Sequence, residues 1–108
     1  MKGEYLGEFE ELVLLTCLIL KEDAYGINIV NEIKQRMSRS VNLSSVHVTL
    51  YRLEDKGLAK SYMGGTTSDR GGRRKRIFEP TDKGMEVLQE LKANKVNIWN
   101  AIPELKLS

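Results

Sequence analysis

Apolar residues recur along the chain at two periods, and the change from one to the other divides it into elements. Phe9, Leu12, Val13, Leu15, Thr16, Cys17, Leu18, Ile19 and Leu20 fill the stretch Gly7–Lys21 nearly all round. This predicts a first helix covered on more than one side. Tyr25, Ile29, Ile33 and Met37 recur at i, i+4, i+8 and i+12, beside Ile27 and Val30, which predicts a second helix over Ala24–Ser38 with Asp23 as its N-cap. Gly26 lies early in that helix, where glycine costs about 1 kcal/mol against alanine; close approach to a neighbouring helix is the expected compensation. Arg39–Leu43 reads as a connector with one β-bridge at Val41–Leu43.

A third helix is expected from Ser44 or Ser45 to Lys56, with Gly57 as its stop. With Ser44 as N-cap, Leu43 and Val48 take the positions of a hydrophobic staple. Val46, Leu50 and Leu53 form its buried stripe, and Ser44, Val48, Tyr51, Arg52 and Asp55, flanked by Ser45, His47 and Thr49, its outer face. The period then shortens. Leu58–Met63 and Arg74–Glu79 read as strands around the polar turn Gly64–Gly72, a β-hairpin with a long tip. Thr81 caps a last helix that runs to Ala101 or Ile102 and stops before Pro103. Its stripe of Met85, Leu88, Leu91, Ile98, Trp99 and Ile102 is about 30 Å long, too long for three short helices and a hairpin to cover. A second copy of the chain is the simplest cover.

Three helices and a hairpin, in this order, make a mainly α winged helix-turn-helix. The expected division is residues 1–80 as the reading unit and 81–108 as a C-terminal dimerisation helix.

Charge adds a partner to this picture. The chain has 108 residues and a formal net charge of only +2, but Glu4, Glu8, Glu10 and Glu11 crowd one end. Arg70, Arg73, Arg74, Lys75 and Arg76 crowd the hairpin, next to Gly71 and Gly72. Clustered guanidinium forks on flexible backbone suit a phosphate chain, although a solvated charge run is the alternative. On the third helix the expected DNA-facing residues are Ser44, Ser45, His47, Thr49, Tyr51 and Arg52, because the N-terminal half of a recognition helix enters the major groove. Arg52 has a second reading as an internal partner of Glu32, Glu54 or Asp55, and Ser44 as a cap alone.

The remaining chemistry is sparse. One cysteine, Cys17, and one histidine, His47, leave no ordinary metal site and no intrachain disulfide. Cys17 sits in an apolar run and reads as a small buried hydrophobe. That run is too short to span a membrane and lacks the flanks of a signal peptide, so a cytoplasmic protein is expected. No paired carboxylates and no phosphate loop of the strand-to-helix type suggest an enzyme, and no cofactor is implied.

Three segments resemble one family: LGEFEELVLLTCLILKEDAYGINIVNEI at 6–33, VHVTLYRLEDKGLAK at 46–60 and GGRRKRIFEPTDKG at 71–84. Tyr25-Gly26, Arg52-Leu53-Glu54 with Lys56-Gly57, and the GGRRK run followed by Thr81 and Gly84 carry the likeness. The chain looks like a PadR-like transcriptional regulator of the small kind with a single final helix. The resemblance implies a homodimeric repressor on an inverted-repeat operator of double-stranded DNA. It also implies a last helix that crosses the partner near the first, which puts Phe9 and Leu12 with the last-helix stripe in the dimer interface. Some members sense small aromatic or amphipathic compounds, for which Trp99 would be a stacking wall; an interface anchor is its other reading. The chain departs from the family at His47 and Phe78, where tyrosine is usual, and at Pro80, where leucine is common. The rival reading is a winged-helix protein-interaction module without specific DNA binding.

Overall fold

The computed structural model describes residues 6–66 and 74–103. Helix α1 is Glu8–Leu20, followed by a single 3-10 turn at Lys21–Asp23; α2 is Gly26–Met37 and α3 is Leu43–Asp55. Strands β1, Ala59–Thr66, and β2, Arg74–Pro80, form an antiparallel hairpin, and α4 is Asp82–Asn100. This is the winged helix-turn-helix with an appended helix that the periodicity implies.

The core is where the stripes meet. Val13, Leu14 and Cys17 of α1 bury against Ile29 and Ile33 of α2 and Val46, Leu50 and Leu53 of α3. Ile77 and Phe78 of β2 and Val87 and Leu88 of α4 close it from the hairpin side. Cys17 is buried, and burial pushes its thiol up to about 12, so it packs as a small hydrophobe at neutral pH.

Several boundaries differ from the sequence expectation, each for a local reason. The residues around Asp23 turn as 3-10 helix, so α2 starts later, with extended Tyr25 as N-cap and no side-chain cap bond. Asn42, not Ser44, caps α3: its side chain accepts the Ser45 N–H at 2.7 Å. The staple positions thereby move from Leu43 and Val48 to Val41 and Val46, which both pack into the core. Among the described residues no bridge forms at Val41–Leu43, because Leu43 is already helical. β1 continues past Met63 to Thr66 because one extra residue bulges between Met63 and Thr66.

The end of α3 follows the expectation. Gly57 has φ +77°, its N–H bonds to the Glu54 carbonyl, and Leu58 N–H bonds back to the Leu53 carbonyl, both at 2.9 Å. This paired closure satisfies the last carbonyls of the helix and needs glycine for the left-handed turn. The chain then returns to the same place after the hairpin. Thr81 N–H donates to the Leu58 carbonyl at 3.0 Å, and the Thr81 hydroxyl donates to the Gly57 carbonyl at 2.7 Å. The same hydroxyl accepts the Gly84 N–H at 3.0 Å and so caps α4. Gly84 lies so close that a Cβ would overlap the Leu58 carbonyl oxygen.

Glu10 caps the start of α1. Its carboxylate accepts the Gly7 N–H at 3.0 Å and pairs with the Lys56 ammonium at 3.0 and 3.1 Å. Burial is the largest influence on this carboxyl and opposes its charge. The Gly7 N–H, Lys56 and the nearby charge of Arg52 outweigh burial, and the net effect holds Glu10 below its ordinary value.

Two expectations follow. Gly84→Ala must push α4 away from backbone that cannot yield, and costs about 1–3 kcal/mol or more, read as a lower urea midpoint. Glu10→Gln loses about 1–2 kcal/mol at neutral pH. Because the folded carboxyl titrates below the unfolded one, the Glu10 contribution is full above the unfolded value and disappears as pH falls through the folded one. The gap between wild type and variant in urea unfolding should therefore close below about pH 4.

Candidate nucleic-acid interface

α3 presents Ser44, Ser45, His47, Val48, Tyr51, Arg52 and Asp55 to solvent along one exposed side. Thr49 is the exception and corrects the sequence expectation: it is 5 % exposed, in the stripe of Val46, Leu50 and Leu53, and cannot face a duplex. The shift of the cap to Asn42 leaves the Ser44 hydroxyl without a capping task. Arg52 has no ion pair among the described residues. The acids proposed as its partners are engaged elsewhere, Glu32 with Arg36 and Glu54 with Ser61, or, for Asp55, show no such contact.

The hairpin stands beside this helix, and its cations do different work. The Arg74 guanidinium donates to the carbonyls of Gly64, at 2.9 Å, and Met63, at 3.2 Å, which locks the bulged strand. Arg76 donates to the Ser61 hydroxyl at 3.0 Å, and that hydroxyl donates to Glu54 at 2.7 Å. This relay ties the base of the wing to the last turn of α3. It gives Glu54 of the Arg52-Leu53-Glu54 motif a role that spacing alone did not indicate. Lys75 lies over the Tyr25 ring, 5.2 Å from its centroid. Arg70 and Arg73 lie outside the described residues.

Between α3, the wing and the start of α2 runs a groove of about 320 Å³ lined by Tyr25, Gly26, Ile27, Leu43, His47, Tyr51, Arg74, Lys75, Arg76 and Phe78. Tyr51 meets Phe78 edge to face, with centroids 5.7 Å apart and planes at 80°. The packing role of a ring at 78 is thus met without a hydroxyl. Gly26 fulfils the expected close approach: a Cβ there would run into His47 Nε2 and lie 2.9 Å from Leu43 Cδ1.

A second surface lies on the far side. Leu88 is buried in the core of its own chain, and Leu91 is partly buried against it, so these two residues of the expected interface stripe are occupied internally. From Lys92 to Asn100 every residue of α4 is exposed, with Ile98 at 69 % and Trp99 at 50 %. Val96 of α4 and Leu15 and Ile19 of α1 join this apolar set and were missed, although Leu15 and Ile19 share a helical face with Leu12. Leu15, Leu18, Met85, Leu88, Val96 and Trp99 line a groove of about 280 Å³ between α1 and α4, rimmed by Gln89, Lys92 and the Glu11–Lys95 ion pair. Phe9 stands apart from it, packed against the core under the Arg39 guanidinium at 5.4 Å.

Among the described residues no three His, Cys, Asp or Glu side chains gather as a metal site, and no helix is long and apolar enough to cross a membrane.

A recognition helix with an exposed polar face, a basic wing and a long final helix define a winged-helix regulator of the helix-turn-helix class. The model of the transcriptional regulator PadR-like family matches residues 14–90, and the chain belongs to that family. An uncharacterized protein of Lysinibacillus sphaericus is 31% identical over 101 residues, covering 92% of this chain and 84% of that one. A PadR-like transcription factor from Bacteroides fragilis has the same fold, with a TM-score of 0.68 at 24% identity over 85% of this chain and 84% of that one. Bacillus subtilis PadR, solved in complex with operator DNA, matches with a TM-score of 0.61 at 18% identity. That match covers 94% of this chain but 53% of the Bacillus subtilis chain.

Gly26→Ala should displace the His47 ring and the Leu43 side chain, whose ends can move, and cost about 1–2 kcal/mol. The single histidine makes the displacement directly visible as a shifted imidazole proton resonance.

Proposed function

We propose that the chain is a homodimeric repressor that binds an inverted-repeat operator. Residues 1–80 act as the reader and 81–108 as the dimerisation helix. The observation that carries this reading is the pairing of the exposed α3 face with the cationic β2 strand across one groove. Ser44, His47, Tyr51 and Arg52 face the major groove, with Ser45 at the flank. The wing cations, Arg70, Arg73, Arg74, Lys75 and Arg76, hold the backbone beside it. Hydroxyls, imidazole and guanidinium offer donors and acceptors to base edges and phosphates, while phosphate contacts fix register.

The exposed apolar faces of α4 and α1 support the dimer. A second copy laid on Val96, Ile98, Trp99, Ile102, Leu15 and Ile19 would cover side chains that are otherwise left in water. Two α3 helices about 34 Å apart would then meet successive turns of one face of the duplex and exclude polymerase sterically. The α1–α4 groove, with its carbon lining and Trp99 at one end, supports a small apolar effector as modulator. Such a ligand weakens DNA binding only if it favours a dimer geometry with a different α3 spacing.

Footprinting on the DNA upstream of the chain's own gene tests the reading. A protected inverted repeat bound by a dimer in sedimentation is the expected result. Retention of scrambled duplex with equal affinity would favour the protein-interaction module instead. With the protected duplex in hand, Lys75→Ala should lower the slope of log affinity against log salt by about 0.9 per protomer, without changing which sequence is preferred.

A further inference from the structure

The groove between α3 and the wing has a composition that the reader role alone does not require. Its charged and titratable lining is Tyr25 from α2, His47 and Tyr51 from α3, and Arg74, Lys75 and Arg76 from β2. No carboxylate of the described residues lines it. Arg74 and Arg76 are tethered by hydrogen bonds to the wing, whereas Lys75 has the Tyr25 ring and no hydrogen-bond acceptor among the described residues. His47, the only histidine of the chain, is exposed, with its ring against the backbone of Gly26. Among the described residues the site thus gathers cations without an anion, and it opens on the face that the proposed function turns toward the duplex.

We propose that this groove seats a backbone phosphate of the bound duplex between Lys75 and His47, and that the contact takes up a proton on His47, so that the chain binds DNA more tightly as pH falls. The inference rests on the DNA-binding reading above. Histidine is the side chain whose charge changes near physiological pH, while tyrosine, lysine and arginine keep theirs through that range. A phosphate beside the imidazole favours its charged form, and by linkage a ligand that favours protonation is itself bound more tightly when protons are abundant. The contact is to the backbone, so it holds for any sequence.

The test uses the full chain and a labelled mixed-sequence duplex at low ionic strength, titrated by fluorescence anisotropy. Wild type should bind about tenfold more tightly near pH 6 than near pH 8. His47→Gln should lose that dependence, and His47→Lys should bind at both pH values as wild type does at the lower. In parallel, the single imidazole resonance is titrated with and without duplex, and its midpoint should move to higher pH when DNA is added. A purely structural histidine would show no such movement. The proposal is overturned if His47→Gln keeps the wild-type pH dependence, or if the midpoint stays where it was while the duplex is bound. No binding of the duplex at any pH would overturn the DNA-binding reading itself, and the proposal with it.

Discussion

The Leu58 carbonyl is the point from which the three working parts of this chain hang. The N–H of the same residue ends the paired closure of α3, the residue leads directly into the first strand of the wing, and the carbonyl accepts the N–H of Thr81, where the wing becomes α4. Thr81 uses its hydroxyl in both senses, donating to Gly57 and accepting from Gly84. A hydroxyl can do this and a methyl of the same shape cannot. Gly84 completes the contact by having no side chain to hold α4 away. The recognition helix, the wing and the final helix are thus joined through backbone and one side chain, without a flexible linker. A displacement of α4 has little compliance to absorb it before it reaches α3, since packed backbone contacts switch rather than stretch.

The same economy governs the wing. Of the basic residues that the sequence crowds together, Arg74 and Arg76 spend hydrogen bonds on carbonyls and on Ser61, and so set the hairpin's shape and its angle to α3. Their positive charge still faces the groove. Lys75 between them makes no such bond among the described residues and rests on the Tyr25 ring, which lines the same groove. A run of like charges is therefore a structural device and an electrostatic one at once, in alternate residues.

Much of this was legible beforehand, and the failures have physical causes. The helical stripes, Gly57 as the stop of α3, Thr81 as the cap of α4 and the close approach at Gly26 all follow from spacing and from the special geometry of glycine. The hydroxyl of Thr49 suggests an outward face, but the residue sits three positions from Val46 and one from Leu50, within the buried stripe, and periodicity outranks polarity there. The cap of α3 is not fixed by residue type, because Asn42 and Ser44 are both good caps, and only tertiary packing of Val41 and Val46 chooses between them. The period of the final helix implies one continuous apolar stripe, of which Leu88 and Leu91 are packed against their own chain. Nothing in a helical period says which neighbour covers a face.

The acidic N-terminal run raises a conflict that the fold resolves. Carboxylates near a DNA-binding face would repel the ligand, and the chain has nearly as many acids as bases. Each of the described acids of α1's first turn is instead paired with a cation of a different element. Glu8 holds Arg39 of the connector before α3, Glu10 holds Lys56 just after α3, and Glu11 holds Lys95 of α4. The exposed Glu8–Arg39 pair contributes little stability. The two with sheltered carboxylates fix the orientation of α1 against the end of α3 and against α4. Near-neutral net charge is therefore compatible with a polarised molecule: three acids serve as fasteners on α1, and Arg74, Lys75 and Arg76 stand at the groove between α3 and the wing with no ion pair among the described residues. Removing one of these acids would do more than add a positive charge. It would unfasten α1 from the element that its carboxylate holds.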